Sequence, residues 1–182
     1  FCWGANDVGQ LGLNSSATIV YQATQVSLAG SVQQVAAGFG HTCAATATTV
    51  SCWGVNDFGQ LGNNSTTSVT SPVTVLGLTT AIDNLALGKD HSCAVTTDNK
   101  TYCWGSRQAG QTAQTVDNTT LDKQPILVAS LTGKRHLSAG DFHTCSIEDN
   151  SVVKCWGKND LGQLSNGSSA QQSASPVSVT LN

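Results

Sequence analysis

The tripeptide Cys-Trp-Gly occurs four times in the 182-residue sequence at nearly even intervals. The copies begin at Cys2, Cys52, Cys103 and Cys155, so the steps between them are 50, 51 and 52 residues. Self-similarity at a fixed period indicates a repeat architecture, in which one unit cannot bury its apolar surface without its neighbours. This periodicity limits the possible folds more than any other feature of the chain.

Two further landmarks keep the same order in the units. The motif Gly-x-x-His-(Thr/Ser)-Cys precedes the last three Cys-Trp-Gly copies and begins at Gly38, Gly88 and Gly140. A turn rich in Asn, Asp and Gly follows the tripeptide, at residues 6–10, 56–60 and 159–163. The third copy, residues 106–111, diverges but keeps its Gly and Gln, and a polar loop and a short apolar run come next.

Each unit is predicted to form four short β-strands. In the second unit we expect strands over 31–37, 41–46, 50–54 and 72–76, separated by Gly, Asn, Asp, Ser and Thr turns. Four strands at this period are typical of β-propeller blades. The predicted units are a partial blade at 1–30 with only the last two strands, and full blades at 31–80, 81–133 and 134–182.

The combined pattern Gly-x-x-His-(Thr/Ser)-Cys … Cys-Trp-Gly-x-Asn-x-x-Gly-Gln-Leu-Gly resembles the repeat of the regulator of chromosome condensation (RCC1) family. It is most similar to the secreted, cysteine-containing, tubulin-suppressor-like members. The resemblance implies an all-β propeller of seven blades. Seven units need about 350 residues, so we expect this chain to be part of a longer polypeptide. An open stack of blades that continues through neighbouring chains is the alternative.

The cysteines form three closely spaced pairs and one remainder. Hairpin pairing would place Cys43 opposite Cys52, and it predicts two further disulfides, Cys93–Cys103 and Cys145–Cys155. Cys2 has no partner. Disulfides of this kind are typical of an oxidising compartment, so we expect an extracellular or cell-surface protein. A zinc site formed by His41, Cys43 and Cys52 is the alternative, although catalytic sites rarely repeat in every unit.

The repeated aromatic residues are predicted to pack between blades. Each Trp follows a Cys and therefore points to the opposite face of the sheet. A row of exposed rings that binds a sugar or another ligand is the alternative for the tryptophans. The residues predicted for inter-blade packing are Trp3, Trp53, Trp104, Trp156, His41, His91 and His143.

Charge and motifs exclude several functions. The chain has 8 Lys and Arg against 11 Asp and Glu, which argues against a nucleic-acid partner. No apolar run is long enough for a membrane helix, and no phosphate loop or nucleophile elbow is present. We expect no cofactor and no enzymatic activity. The Asn-Asp-x-x-Gly turns could suggest calcium, but each offers one carboxylate, which favours a plain turn.

The predicted function is a non-catalytic extracellular scaffold that binds another protein or copies of itself, through the variable loops at about 63–71, 112–124 and 165–175. The alternative is a structural (glyco)protein subunit of an extracellular filament, sheath or surface appendage. Predicted N-glycosylation sites follow the Asn-x-(Ser/Thr) pattern at Asn14, Asn63, Asn64, Asn99, Asn118 and Asn166.

Overall fold

The computed structural model describes residues 1–131, 135–149 and 151–180. It confirms the all-β prediction, with fourteen strands and no helix in those ranges. The strands are β1 (Cys2–Ala5), β2 (Ile19–Thr24), β3 (Gln34–Ala37), β4 (His41–Ala45), β5 (Val50–Gly54), β6 (Val69–Thr74), β7 (Ile82–Leu87), β8 (His91–Thr96), β9 (Thr101–Ser106), β10 (Leu121–Leu127), β11 (Arg135–Ala139), β12 (His143–Glu148), β13 (Val153–Lys158) and β14 (Gln172–Ser178).

The strands form one two-stranded and three four-stranded antiparallel sheets, each in simple chain order. We call them blade 1 (β1–β2), blade 2 (β3–β6), blade 3 (β7–β10) and blade 4 (β11–β14). These sheets lie within the predicted units, and the boundary expected between residues 133 and 134 lies outside the described residues. None of the described residues belongs to a helix that could cross a membrane.

The outer strand of blade 2 begins earlier than expected, at Val69 instead of Pro72. Val69 pairs with Gly54, Val73 pairs with Cys52, and a bulge separates the two pairs. Pro72 therefore lies inside the bulge of an edge strand, where a residue without an N–H costs no ladder hydrogen bond. Pro125 and Pro176 lie in the outer strands of their own blades.

Among the first strands of the full blades, β7 contacts both β3 and β11. Because successive strands are antiparallel, the β3–β4 and β5–β6 connections lie on the same face, and Val55 N donates to Gly40 O there. We call this the turn face, since it carries the Gly-x-x-His loops and the Asn-Asp-x-x-Gly turns. The opposite side, with the β4–β5 hairpins, is the hairpin face.

The middle hairpins have the register that the cysteine spacing predicts. Cys43 pairs with Cys52 across β4 and β5, and the corresponding pairs in blades 3 and 4 are Cys93 with Cys103 and Cys145 with Cys155. The first hairpin closes with a Thr46 N to Thr49 O bond. In the other two hairpins Thr96 N donates to Lys100 O and Glu148 N donates to Val152 O, and Asn99 and Ser151 take positive φ angles of 64° and 62°.

The apolar core lies between the blades. The Cys43–Cys52 pair of blade 2 packs in one cluster with Trp104 of blade 3. The Cys93–Cys103 pair of blade 3 does the same with Trp156 of blade 4. The core thus extends through the stack, as expected for units that bury their faces only against neighbours.

Candidate functional site

Each of the three full blades is hydrogen-bonded to the blade before it through a main-chain carbonyl of a turn glutamine. The indole Nε1 of Trp104 and the hydroxyl of Ser92 both donate to Gln60 O, each at 2.8 Å. The equivalent donors in blade 2 bind Gln10 O and those in blade 4 bind Gln111 O. Trp53, Trp104 and Trp156 are 0–1% exposed, so an exposed ligand-binding row is not formed by these rings.

The histidines contact the following blade. His41 Nε2 lies 2.9 Å from Ser92 Oγ, and His91 Nε2 lies 2.8 Å from Thr144 Oγ1. Since the Ser92 hydroxyl donates its hydrogen to Gln60 O, the His41 Nε2 must be the donor to Ser92. This leaves Nδ1 as the unprotonated ring nitrogen.

The histidine environment disfavours the charged imidazolium. The Nδ1 atoms of His41 and His91 are buried and lack a hydrogen-bond partner in the described part of the chain. Burial lowers the pKa of His41 to about 4 and that of His91 to about 3. A close-packed loop holds the ring, because a Cβ on Gly88 would lie 2.2 Å from His91 Cε1. Both rings are therefore neutral at pH 7 and lie buried at the contact between blades.

The two ends of the stack differ from the inter-blade prediction. Trp3 is 62% exposed, because no blade precedes blade 1 in the described residues to offer it a glutamine carbonyl. The packing predicted for Trp3 is not formed among the described residues, and it stays a prediction. His143 lies on the last blade and is half-buried, and burial lowers its pKa.

The sulfur atoms are joined in pairs in the structure. Cys43–Cys52, Cys93–Cys103 and Cys145–Cys155 have Cα–Cα separations of 4.1 Å, and Cys2 is a free, half-buried thiol. Disulfide sulfurs are not thiolate ligands, so the zinc alternative loses two of its three groups. No group of three His, Cys, Asp or Glu side chains that could hold a metal is found in the described ranges.

The Asn-Asp-x-x-Gly turns organise the loops after them. Asn56 donates from Nδ2 to Ser65 O at 3.0 Å and Thr67 O at 3.1 Å, and its Oδ1 accepts from Leu61 N. Asn6 and Asn159 make the same set of bonds. The turn glycines have φ between 77° and 80°, a region that favours glycine. The Asn side chains thus act as internal staples.

The post-turn loops, where we expected a partner, are also tied to the next blade. Asn14 N donates to Thr70 O, and Asn64 N donates to Lys123 O, in both cases on the outer strand of the following blade. These loops therefore have a packing role, although parts of them remain exposed.

Blade 3 replaces the asparagine staple with an ion pair that our sequence reasoning missed. Arg107 stands where blade 2 has Asn56, and its guanidinium binds both oxygens of Asp122. Asp122, with a side chain 1% exposed, also accepts from Thr112 Oγ1 at 3.0 Å. The departure of this one copy from the repeat was the available signal.

A second missed feature is a chain of aromatic and cationic side chains across the turn face. Lys89 Nζ lies 5.3 Å from the Phe39 ring centroid and 5.4 Å from the Phe142 centroid, and Lys158 Nζ lies 5.5 Å from the Phe142 centroid. Distances of this size allow cation–π attraction. We call these four residues, from blades 2, 3 and 4, the Phe–Lys ladder.

The backbone that carries the Phe–Lys ladder is held in place by hydrogen bonds between blades. Phe39 N donates to Gly88 O, and Lys89 N donates to Asp141 O, so the inner loops of adjacent blades are hydrogen-bonded to one another. A Cβ on Gly38 would lie 2.5 Å from Gly88 O, so only glycine allows this approach. Despite this rigidity, Phe39 is 76% exposed.

Apolar and acidic groups surround the ladder. Val8 and Leu161 are exposed at turn positions of blades 1 and 4. Burial raises the pKa of Asp90; the Lys89 charge opposes this shift, and the nearby Asp141 and Asp57 carboxylates add to it. The turn face therefore combines exposed apolar side chains with charges of both signs.

The predicted glycosylation sites lie in different settings. Asn14, Asn64, Asn99 and Asn118 are exposed, whereas Asn63 and Asn166 are half-buried. Asn63 Oδ1 accepts from Ser65 N and Asn166 Oδ1 accepts from Ser168 N, so these two side chains are engaged in their own loops.

Comparison with known proteins identifies the repeat. A family model for the regulator of chromosome condensation (RCC1) repeat matches residues 1–45 and 49–95, and a second model for this repeat matches 82–111 and 135–163. The chain belongs to the RCC1 repeat family. Among curated proteins, it is 33% identical over 70 residues to the protein RCC1 of Candida albicans, covering 35% of this chain and 15% of that protein.

Another relative is the RCC2 homologue of Xenopus laevis, at 32% identity over 89 residues, 48% of this chain and 17% of that protein. Human WBSCR16 superposes with a TM-score of 0.81 and 26% identity over 97% of this chain and 46% of that one. Yeast RCC1 (Prp20), crystallised with Kap60, superposes with a TM-score of 0.83 and 20% identity over 98% and 44%. This RCC1-repeat chain thus spans less than half of these relatives.

Proposed function

We propose that this chain supplies RCC1-type blades to a non-catalytic propeller that binds a partner protein through its turn face. The observation that carries the proposal is the Phe–Lys ladder, in which Phe39 is 76% exposed on a backbone fixed by inter-blade hydrogen bonds. A rigid aromatic side chain loses little conformational entropy on binding and serves well as an anchor.

Relatives support a protein partner. A structure of yeast RCC1 (Prp20) was determined with Kap60 bound, and another report on Prp20p concerns its binding to Gsp1p and histones. Binding of proteins by a propeller of this type is therefore the property we carry over, without those particular partners.

We place the protein in an oxidising compartment, at the cell surface or outside the cell, as for the secreted, cysteine-containing members of the family. The support is a disulfide at the same site in each of the three full blades. Cytosolic reductants keep most thiols reduced, so three structural disulfides favour a secretory route. Exposed Asn64 and Asn118 would accept N-linked glycans there, and intact mass before and after glycosidase treatment tests this.

Site-specific photocrosslinking tests the partner surface. A photoreactive phenylalanine analogue replaces Phe39 in one variant and Tyr21 in the control, since Tyr21 is 87% exposed but lies on the outer strand of blade 1. Both variants are exposed to the extracellular fraction of the native host. We expect a discrete adduct from position 39 that unlabelled protein competes away and that Lys89→Glu abolishes. Adducts of equal yield from both positions, or from position 21 alone, would overturn the proposal.

A structural role in a filament or sheath is the second candidate function. The exposed Trp3 indole at one end and the Gln163 turn of blade 4 at the other are the two halves of the contact that joins neighbouring blades. Repetition of that contact between chains would give a head-to-tail polymer. Negative-stain imaging of the native material separates the two functions, because filaments with a subunit-sized repeat exclude a discrete module.

A further inference from the structure

A recess lies between blades 3 and 4 on the turn face, with a volume of about 290 Å³. The turn of blade 3 that ends at Gln111 forms one wall, and Phe142, Lys158 and the start of β14 form the other. Blades 3 and 4 are both four-stranded sheets in the described part of the chain. The recess therefore lies between two full blades.

The recess opens where blade 3 has a small residue in its turn. The residues at this turn position in blades 1 to 4 are Val8, Phe58, Ala109 and Leu161. At the boundary between blades 1 and 2, a Cβ on Gly40 would lie 3.6 Å from Val8 Cγ2 and 2.9 Å from Val55 Cγ2. The larger turn residue thus reaches the following blade there, and the methyl group of Ala109 leaves this space open.

The facing wall on blade 4 is aromatic and carries no net charge. Phe142 stands where blade 2 has Gly40, and Lys158 stands where blade 2 has Val55. Lys158 Nζ lies 2.7 Å from Asp160 Oδ2, and both residues line the recess. Because this ammonium group is already paired with a carboxylate, the wall favours a neutral ligand over a phosphate or another anion.

Glutamine amides supply the hydrogen-bonding groups at the rim. Gln108 replaces the Asp that the other three blades have at this turn position, and Gln171 and Gln172 lie at the start of the outer strand of blade 4. All three side chains line the recess and belong to exposed residues. A carboxamide donates through its nitrogen and accepts through its oxygen, so the rim favours a ligand whose neighbouring atoms do both.

A fourth glutamine is buried in the wall. Gln111 is 1% exposed, and its Oε1 accepts from Ala109 N at 2.8 Å. In blades 1 and 4, the corresponding Nε2 donates to the turn Asp, as Gln10 does to Asp7 Oδ1 at 2.8 Å. Blade 3 has Gln108 in place of that Asp, and no such bond from Gln111 Nε2 is formed among the described residues. An amide donor is thus left for a ligand in the recess.

We propose that this recess binds a neutral hexopyranose sugar, either free or as the terminal unit of a glycan. The hydroxyls on adjacent carbons of such a ring each donate and accept, as the glutamine amides do, and its C–H groups pack against Phe142. Sites for drug-sized ligands have about 300–1,000 Å³, so about 290 Å³ fits a single sugar ring. The site is separate from the Phe39 anchor, and the inference does not rest on the proposed function.

Titration of the ¹⁵N-labelled chain with sugars tests the site by NMR, because glutamine side-chain amides are observed directly. The ligands are the methyl glycosides of glucose, galactose, mannose and N-acetylglucosamine. We expect at least one to shift the side-chain signals of Gln108, Gln171 and Gln172 saturably, with millimolar affinity. N-acetylphenylalaninamide represents an apolar side chain of a protein. Saturable shifts with this compound alone, or with none of the ligands, would overturn the proposal.

The source of the sugar is tested with a disaccharide that ends in the preferred unit. Binding more than about tenfold tighter than that of the methyl glycoside assigns the recess to a glycan, since the second sugar then adds contacts at the rim. Equal affinity assigns it to a free sugar. Both results uphold a sugar site, whereas a disaccharide that fails to shift the three glutamine signals contradicts the glycan assignment.

Variants taken from the repeats of the chain test the residues without disturbing the fold. Ala109→Phe introduces the residue of blade 2 and should weaken sugar binding more than about tenfold, because the phenyl ring fills the recess. Ala47→Phe, at an exposed alanine on the hairpin face, is the control and should bind as the wild type does. Gln172→Leu copies Leu121 of blade 3 and should weaken binding about threefold to tenfold. Wild-type affinity in Ala109→Phe would overturn the proposal.

Discussion

His41 donates from Nε2 to Ser92 Oγ across the boundary between blades 2 and 3, at 2.9 Å. The same hydroxyl donates to Gln60 O, so three groups from two blades form one directed chain of hydrogen bonds. The neutral imidazole suits this arrangement, because a second proton on the buried Nδ1 would have no hydrogen-bond acceptor in the described part of the chain. The inter-blade contact therefore depends on the protonation state of the histidine.

We predict that acid weakens the fold through His41 and His91. Burial lowers their pKa values from 6.5 to about 4 and about 3, so the unfolded chain binds more protons below pH 6.5. The free energy of unfolding should therefore be highest above that pH and fall between pH 6.5 and 4, with a slope of up to about 1.4 kcal/mol per pH unit for each histidine. Urea unfolding at a series of pH values measures this slope.

The variant His91→Gln distinguishes the effect of this histidine on stability from that of the carboxylates, which also titrate in acid. The glutamine amide nitrogen can replace Nε2 as the donor to Thr144, but it does not take up a proton. His91→Gln should have a shallower slope over the same pH range, and His136→Gln, at an exposed histidine on β11, should match the wild type. Parallel curves for wild type and His91→Gln would contradict the role given to the buried ring.

A second prediction concerns the tryptophans. Trp104→Phe removes the indole donor to Gln60 O from a fully buried site and should lower the free energy of unfolding by about 1–3 kcal/mol. The same change at Trp3, which is 62% exposed, should stay within about 0.5 kcal/mol. Chemical denaturation of both variants measures the difference. Equal losses would show that burial between blades is not what stabilises the indole contact.

The sequence predicted the repeat and the hairpin register because both follow from intervals between residues that are close in the chain. A Cys pair nine or ten residues apart aligns two strands wherever the blade sits. The acceptor for each tryptophan could not be predicted this way, since Gln60 O belongs to another blade and its side chain serves its own turn through Phe58 N. The spacing of residues within one unit therefore does not reveal which residues of two units are in contact.

The Phe–Lys ladder escaped sequence reasoning for a related reason. Phe39 is the second residue of its Gly-x-x-His motif, whereas Phe142 is the third residue of its own. Alignment of the repeats therefore shows no shared aromatic position. The two rings are connected through Lys89 of the intervening blade, whose Nζ lies 5.3 Å and 5.4 Å from their centroids.

The third prediction concerns the disulfides. Under denaturing conditions without reductant, the chain should react as a protein with one thiol, Cys2, and after reduction as one with seven. Replacing Cys93 and Cys103 together by Ser should lower the free energy of unfolding by about 2–3 kcal/mol, as the bridge closes a short loop. Cys2→Ser is the matched control and should change it by less than about 0.5 kcal/mol. Seven reactive thiols before reduction would refute the pairing.

The last prediction concerns the staple that is peculiar to blade 3. Arg107→Ala leaves the Asp122 carboxylate, 1% exposed, without its cationic partner and should lower the free energy of unfolding by about 3–5 kcal/mol. Adding Asp122→Ala should restore part of this loss, since the buried charge is then gone. In blade 2, Asn56→Ala removes a neutral staple and should cost less, about 1–3 kcal/mol. A double-mutant cycle from urea unfolding measures the coupling. If the double variant is less stable than Arg107→Ala alone, the ion pair is not the reason why blade 3 tolerates the lost asparagine.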